Sequence, residues 1–268
     1  MKFEMIDFYY FSGTGNTYLT VKKMQQVFEQ QGIEVNLRRI EKTPPPLTIA
    51  PQHAVGLAFP VAEQGTYPFI WDFIRALPRS AGTPVFMVDT MMAFSGGIVG
   101  PVRKILKQKG YMPVGAKEIT MPNNLFPVKI NKEKNRTKLE KGLTKAEKYA
   151  VSLLEGRSSW GRIPLLSDLM SLFSQKEWTW KFLRKGYILK IDHDLCTRCG
   201  QCAKLCPVEN IIMEGYPVYQ ERCFFCMRCV AFCPSKAIYS VKAHFVSHKR
   251  GSEYYKAVRS SDLTKDSG

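Results

Sequence analysis

Apolar positions along the first half of the chain fall in short runs separated by turn-forming residues. Met5–Tyr10 is apolar and aromatic and predicts a short strand. Tyr18–Gln31 has helical spacing, and Glu34–Ile40 alternates as a second strand. Ala54–Phe59 and Pro84–Asp89 are continuous apolar runs, as strands buried on both faces should be. Thr66–Leu77 and Gly97–Gly110 read as helices, the second ended by Gly110. Val114–Met121 predicts a fifth strand and Asn135–Leu154 a last helix. Five strands alternating with helices predict an α/β fold with a doubly wound, five-stranded parallel sheet.

Between the first strand and the first helix lies Ser12-Gly13-Thr14-Gly15-Asn16-Thr17. A strand, a Gly/Ser/Thr loop and a helix together hold a phosphate on the helix N-terminus. The glycines let the backbone present its N–H groups, and the hydroxyls of Ser12, Thr14 and Thr17 and the amide of Asn16 add donors. No Lys or Arg lies in the loop, which argues against a Walker A sequence; position 18 is Tyr, which departs from the dinucleotide fingerprint. An ordinary glycine-rich turn is the plain alternative. The segment resembles the flavodoxin phosphate loop, Thr/Ser-x-Thr-Gly-x-Thr. That resemblance implies strand order 2-1-3-4-5 and bound FMN, with the flavin ring at the loops after the third and fourth strands. The expected ring contacts are Pro60, Val61, Gly65 and Tyr67 from one loop, and Thr90, Phe94, Ser95, Gly96 and Gly97 from the other. Tyr67 and Phe94 either stack on the ring or merely anchor their loops. Residues 121–126 are expected to close the same pocket.

All eight cysteines lie between 196 and 233, in two copies of C-x2-C-x2-C-x3-C-P. The copies are Cys196, Cys199, Cys202, Cys206 and Cys223, Cys226, Cys229, Cys233, each ending before a proline. The repeat extends further: Asp194 and Glu221 precede the first cysteines by two, and Ile211 and Ile238 follow the last by five. Strands are predicted at Tyr187–Asp192 and Pro217–Gln220, with a returning strand at Ser240–His244. Zinc ribbons want separated pairs of cysteines, and disulfide frameworks belong to short secreted chains. The pattern resembles the bacterial two-cluster ferredoxin module over about residues 186–244. It implies a small α+β domain in which the fourth cysteine of each run serves the other cluster. Cys196, Cys199, Cys202 and Cys233 would hold one [4Fe–4S] cluster; Cys223, Cys226, Cys229 and Cys206 would hold the second. Arg198 stands where such ferredoxins commonly have glycine.

The stretch between is basic. The formal net charge is +16, and residues 128–190 carry 15 Lys/Arg against 6 Asp/Glu. Lys129–Lys148 reads as a solvated helix face. Residues 163–185 mix large apolar with basic residues, including Trp178 and Trp180. They are expected to pack between domains, with an acidic protein partner or a peripheral membrane contact as alternatives and nucleic acid less favoured. The expected domains are 1–156, a 157–186 arm, 187–245 and a polar, disordered tail at 246–268. No membrane-spanning run and no targeting peptide is expected, and reduced cysteines imply the cytoplasm.

Together these features resemble flavodoxin–ferredoxin fusion proteins of anaerobic prokaryotes. The resemblance implies an electron-transfer protein with two [4Fe–4S] clusters, FMN and a redox partner protein, and the basic charge suggests that the partner is acidic at its contact. A flavin-dependent reductase and a docking protein that has lost FMN are the alternatives; no acid–base pair or nucleophile marks a catalytic site.

Overall fold

The computed structural model describes residues 4–40, 49, 53–93, 97–122, 132–161, 172, 174–186 and 188–240. They divide into two compact units: one built on Asn16–Pro122 and Glu133–Lys176 with the strand before them, the other on the residues from Glu177 onward, which also counts Gly13–Gly15 among its members.

The first unit is a parallel sheet with helices. Its strands are β1 (Met5–Tyr10), β2 (Glu34–Arg39), β3 (His53–Pro60), β4 (Pro84–Met91) and β5 (Met112–Thr120), in the order 2-1-3-4-5. Every neighbouring pair is parallel. This is the flavodoxin-like doubly wound order. The helices are α1 (Asn16–Gln30), α2 (Pro68–Ala76), α3 (Val99–Gln108) and α4 (Lys132–Leu154). The central strands β3 and β4 are buried along six consecutive residues each, which is why their sequences run apolar without alternation. Gly56 in β3 makes room for the ring pair of the neighbouring strands: a Cβ there would meet Phe8 at 2.5 Å and Phe86 at 2.8 Å. With that space free, Phe8 and Phe86 meet edge to face at 5.2 Å, and Phe28 of α1 covers Phe86. Lys23 and Glu147 pair at 2.9 Å between α1 and α4. The other face is sealed by α2, where Phe73 packs on Tyr9.

The second unit opens with α5 (Glu177–Gly186). Then come β6 (Leu189–Ile191), α6 (Gln201–Lys204), β7 (Ile211–Glu214), β8 (Tyr216–Tyr219), α7 (Arg228–Ala231) and β9 (Ile238–Ser240). β7 and β8 form a hairpin, while β6 pairs antiparallel with β9 across the length of the unit. The returning strand therefore runs over 238–240, and 241–244 lie outside the described residues, as does the expected tail. The buried core here is small and partly sulfur: Leu189, Ile211, Met227, Val230 and Ile238 pack with Cys202 and Cys229.

Candidate functional site

The backbone of the second unit repeats with the sequence. Arg198 and Phe225, Gly200 and Met227, and Glu209 and Lys236 are all left-handed, with φ between 51° and 72°. The members of each pair hold equivalent positions in the two copies of the cysteine repeat. Gly200 is the only glycine among the six, so Arg198 occupies a conformation that glycine adopts without cost. The same symmetry reaches the sulfurs. The Asn210 N–H donates to Cys206 Sγ at 3.1 Å, and the Ala237 N–H donates to Cys233 Sγ at 3.3 Å. Such bonds stabilise a thiolate and orient it.

All eight cysteines are free thiols, and they fall into two sets. Cys196, Cys199, Cys202 and Cys233 line one cavity with Thr197 and Gly200. Cys202 lies within electrostatic reach of Cys199 and Cys233. In the other set Cys206 sits close to Cys223, Cys226 and Cys229. The fourth cysteine of each run thus stands with the triplet of the opposite run. Among the described residues no three His, Cys, Asp or Glu side chains converge to hold a single ion; in a cubane each thiolate holds a different iron.

Burial pushes the thiols up: Cys202 and Cys226 to about 11, Cys223 to about 12 and Cys229 well above its ordinary value. The Arg228 main-chain N–H and its guanidinium both pull Cys226 back, and Arg184 does the same for Cys223. Iron binds thiolates, so cluster ligation by these cysteines would supply the free energy that burial withholds. Aromatic residues cover the second set. Trp180, fully buried, meets Phe224 edge to face at 5.2 Å, and the Tyr219 hydroxyl donates to Cys229 Sγ at 3.8 Å. Around the first set the aromatic contact is outward: Arg198 stacks over Tyr216 and donates to its hydroxyl at 2.7 Å, and His193 lies flat on the same ring.

The glycine loop leads directly into α1, with Gly15 at φ 104° and Asn16 as the first helical residue. Ser12 and Gly13 are buried and Thr14 is half-buried. Thr17 is turned into the protein, its hydroxyl 2.8 Å from that of Thr90 at the end of β4. Asn16 donates from Nδ2 to the Pro122 carbonyl, and its Oδ1 is buried without a hydrogen-bond partner. Pro60 and Val61 leave β3, and the Val61 N–H donates to the Thr90 carbonyl. Gly97 is buried ahead of α3, while Phe94, Ser95 and Gly96 lie outside the described residues, as do 123–126.

Two of the expected ring contacts have other occupants. Tyr67 is buried, stacked on Phe69 at 5.8 Å and edge-on to Phe11. A Cβ on Gly65 would fall 2.0 Å from the hydroxyl of Ser174, which is itself fully buried and accepts from Trp71 Nε1. Sequence reasoning passed over Ser174 because a lone serine in an apolar–basic stretch carries no periodic signal. It also passed over Asp89, the single acid ending the run Pro84–Asp89. Neither carboxyl oxygen of Asp89 has a hydrogen-bond partner, and burial, with Glu118 beside it, holds the carboxyl well above the usual range. A charge inside an apolar strand run was the signal available.

Residues 188–234 match the family model of the 4Fe-4S dicluster domain. A ferredoxin of Methanothermococcus thermolithotrophicus is 40% identical over 53 residues, which span 88% of that protein and 18% of this chain. The chain belongs to the ferredoxin family. Its ferredoxin portion is residues 188–234 of the second unit, and a unit with the flavodoxin-like strand order precedes it, so the chain joins a flavodoxin-like fold to a ferredoxin domain. Among solved structures, oxidised flavodoxin 1 of Bacillus cereus aligns at 12% identity with a TM-score of 0.40, covering 56% of this chain and 97% of its own. The flavodoxin of Streptococcus pneumoniae TIGR4 aligns at 14% with a TM-score of 0.40, covering 56% and 98%. The fold of the first unit rests on its own strand order. An iron–sulfur ferredoxin domain gives the fusion an electron-transfer role. Among the described residues no helix is long and apolar enough to cross a membrane.

Proposed function

We propose that this ferredoxin fusion relays single electrons between two [4Fe–4S] clusters and a bound FMN. The observation that carries the reading is the crosswise gathering of eight free thiols into two sets of four. Four thiolates complete one cubane, and each fourth ligand ties the two halves of the repeat together. When bound, the clusters supply one-electron steps and the flavin one or two. The protein contributes the rest. It holds the sulfurs with main-chain N–H groups, excludes water with Trp180 and Phe224, and brings cations to the second set.

For FMN, the support is a Gly/Ser/Thr loop at the head of α1 in a sheet whose crevice lies between β1 and β3. Ser12, Gly13, Thr14, Gly15 and Asn16 would hold the phosphate, and the unpartnered Asn16 Oδ1 would accept from the ribityl chain. Thr17 would serve by fixing the loop to Thr90. The redox partner would be a protein with an acidic contact surface, to match a chain of net charge +16, and the setting would be the reducing cytoplasm.

A second reading is favoured by Ser174 over Gly65 and by the packed ring of Tyr67: the flavodoxin-like unit serves as a docking domain with no flavin. Anaerobic purification with iron, sulfide and flavin analysis decides. About eight iron and one FMN per chain support the relay. About eight iron, no flavin and no uptake of added FMN would leave the docking reading. About four iron would overturn the two-cluster assignment.

A further inference from the structure

The two halves of the repeat match in backbone but not in charge. Arg228, the first residue of α7, is fully buried. Its Nη1 donates to the carbonyl of Leu205, the residue before Cys206, at 3.3 Å. Its main-chain N–H donates to the sulfur of Cys226, and its guanidinium acts on that same thiol. The equivalent position in the first half is Gln201, half-buried and uncharged. Arg198 and Lys204, the cations within the first cysteine run, are both exposed, Arg198 over Tyr216, where water and salt screen them. Of the further cations near the second set, Arg184 pairs with Glu177, and Arg222, next to Cys223, is exposed. One buried, permanently charged group therefore stands beside one set of four cysteines, with only an amide at its counterpart.

A guanidinium stays charged at every working pH, and one held in a buried position beside four iron-bound thiolates is screened little by water. Reduction of a cluster adds one negative charge and makes or breaks no bond, so a fixed neighbouring cation favours it. Building on the two-cluster reading above, we propose that Arg228 sets the two clusters apart in potential, raising that of the Cys206–Cys223–Cys226–Cys229 cluster alone. Arg228 is a positioning and tuning residue; it ligates nothing.

The test is a potentiometric titration of the anaerobic holoprotein, reduced with dithionite and followed by EPR. In R228Q, which installs the residue of the other half, one reduction step should fall by at least tenfold in its equilibrium constant, or about 59 mV for one electron. The other step should stay, and iron should remain near the wild-type content. R228K, keeping the charge, should stay close to wild type. Q201R should raise the other step and leave the first. R228Q with full iron and both steps unmoved, or both moved alike, overturns the proposal. If R228Q fails to load iron, Q201R carries the test, and two unmoved steps there overturn it. A wild-type protein with four iron or a single reduction step fails earlier and removes the two-cluster reading itself.

Discussion

The main-chain N–H of Asn210 points at the sulfur of Cys206 across 3.1 Å. Ala237 does the same to Cys233 in the second half of the repeat. The fourth cysteine of each run is thus held by the same local turn, while its neighbours are the three cysteines of the opposite run.

The proposed crosswise ligation predicts an unusual pattern of double mutants. Cys206→Ala and Cys223→Ala should each lower iron from about eight to about four per chain. Their combination should stay near four, because both act on one cluster. Cys206→Ala with Cys196→Ala should approach zero. Iron and sulfide analysis of the four proteins checks this, and an additive loss in the first pair contradicts it.

Iron removal should unfold the second unit and spare the first. Cys202 and Cys229 are part of the small core of the one, whereas the other is packed around aromatic and aliphatic side chains such as Phe8, Phe28 and Phe86. Chelation followed by limited proteolysis should cleave within 188–240 and leave a resistant fragment containing Met5–Thr120.

The Thr17–Thr90 hydroxyl pair should act as a structural tie. Thr17→Val and Thr90→Val should each destabilise by about 1 kcal/mol, and a double-mutant cycle should return a coupling of about 0.5–1.5 kcal/mol. Urea unfolding of the apoprotein measures it. A coupling near zero would mean that the 2.8 Å contact contributes nothing.

Asp89 should make stability depend on pH. Its folded carboxyl titrates well above the ordinary value, from burial first and Glu118 second. The folded state therefore keeps a proton that the unfolded chain has lost. The stability it contributes is full below the unfolded carboxylate range and is lost as pH rises towards the folded value. Asp89→Asn removes this dependence. The advantage of the variant over wild type should widen with pH by up to about 1.4 kcal/mol per unit, read from thermal unfolding between pH 5 and 8.

Gly65 is a steric test of the space beside Tyr67. Gly65→Ala should cost about 1–3 kcal/mol, since Ser174 Oγ would have to leave. Ser174→Gly should relieve most of that cost, measured by the same unfolding assay; no relief would mean that Ser174 is not what fills the site.

The sequence alone was enough to place the strands of the sheet, because β3 and β4 are buried on both faces and their residues must be apolar throughout. It was enough to mark the eight cysteines as candidate iron–sulfur ligands, because cluster ligation restricts the spacing of cysteines along the chain. It also marked the loop at the head of α1, which needs small residues wherever backbone must turn and present N–H groups. What surrounds these groups was decided by tertiary structure. Nothing local in Gly65 or Tyr67 reveals that Ser174, far along the chain, fills the space beside the one, or that Phe69 and Phe11 enclose the ring of the other. Nor does the sequence distinguish Arg198 from Arg228: both are cations inside a cysteine run. Only the fold puts one over Tyr216 in water and buries the other beside Cys226, because burial and dielectric belong to the packed assembly and not to any residue taken singly.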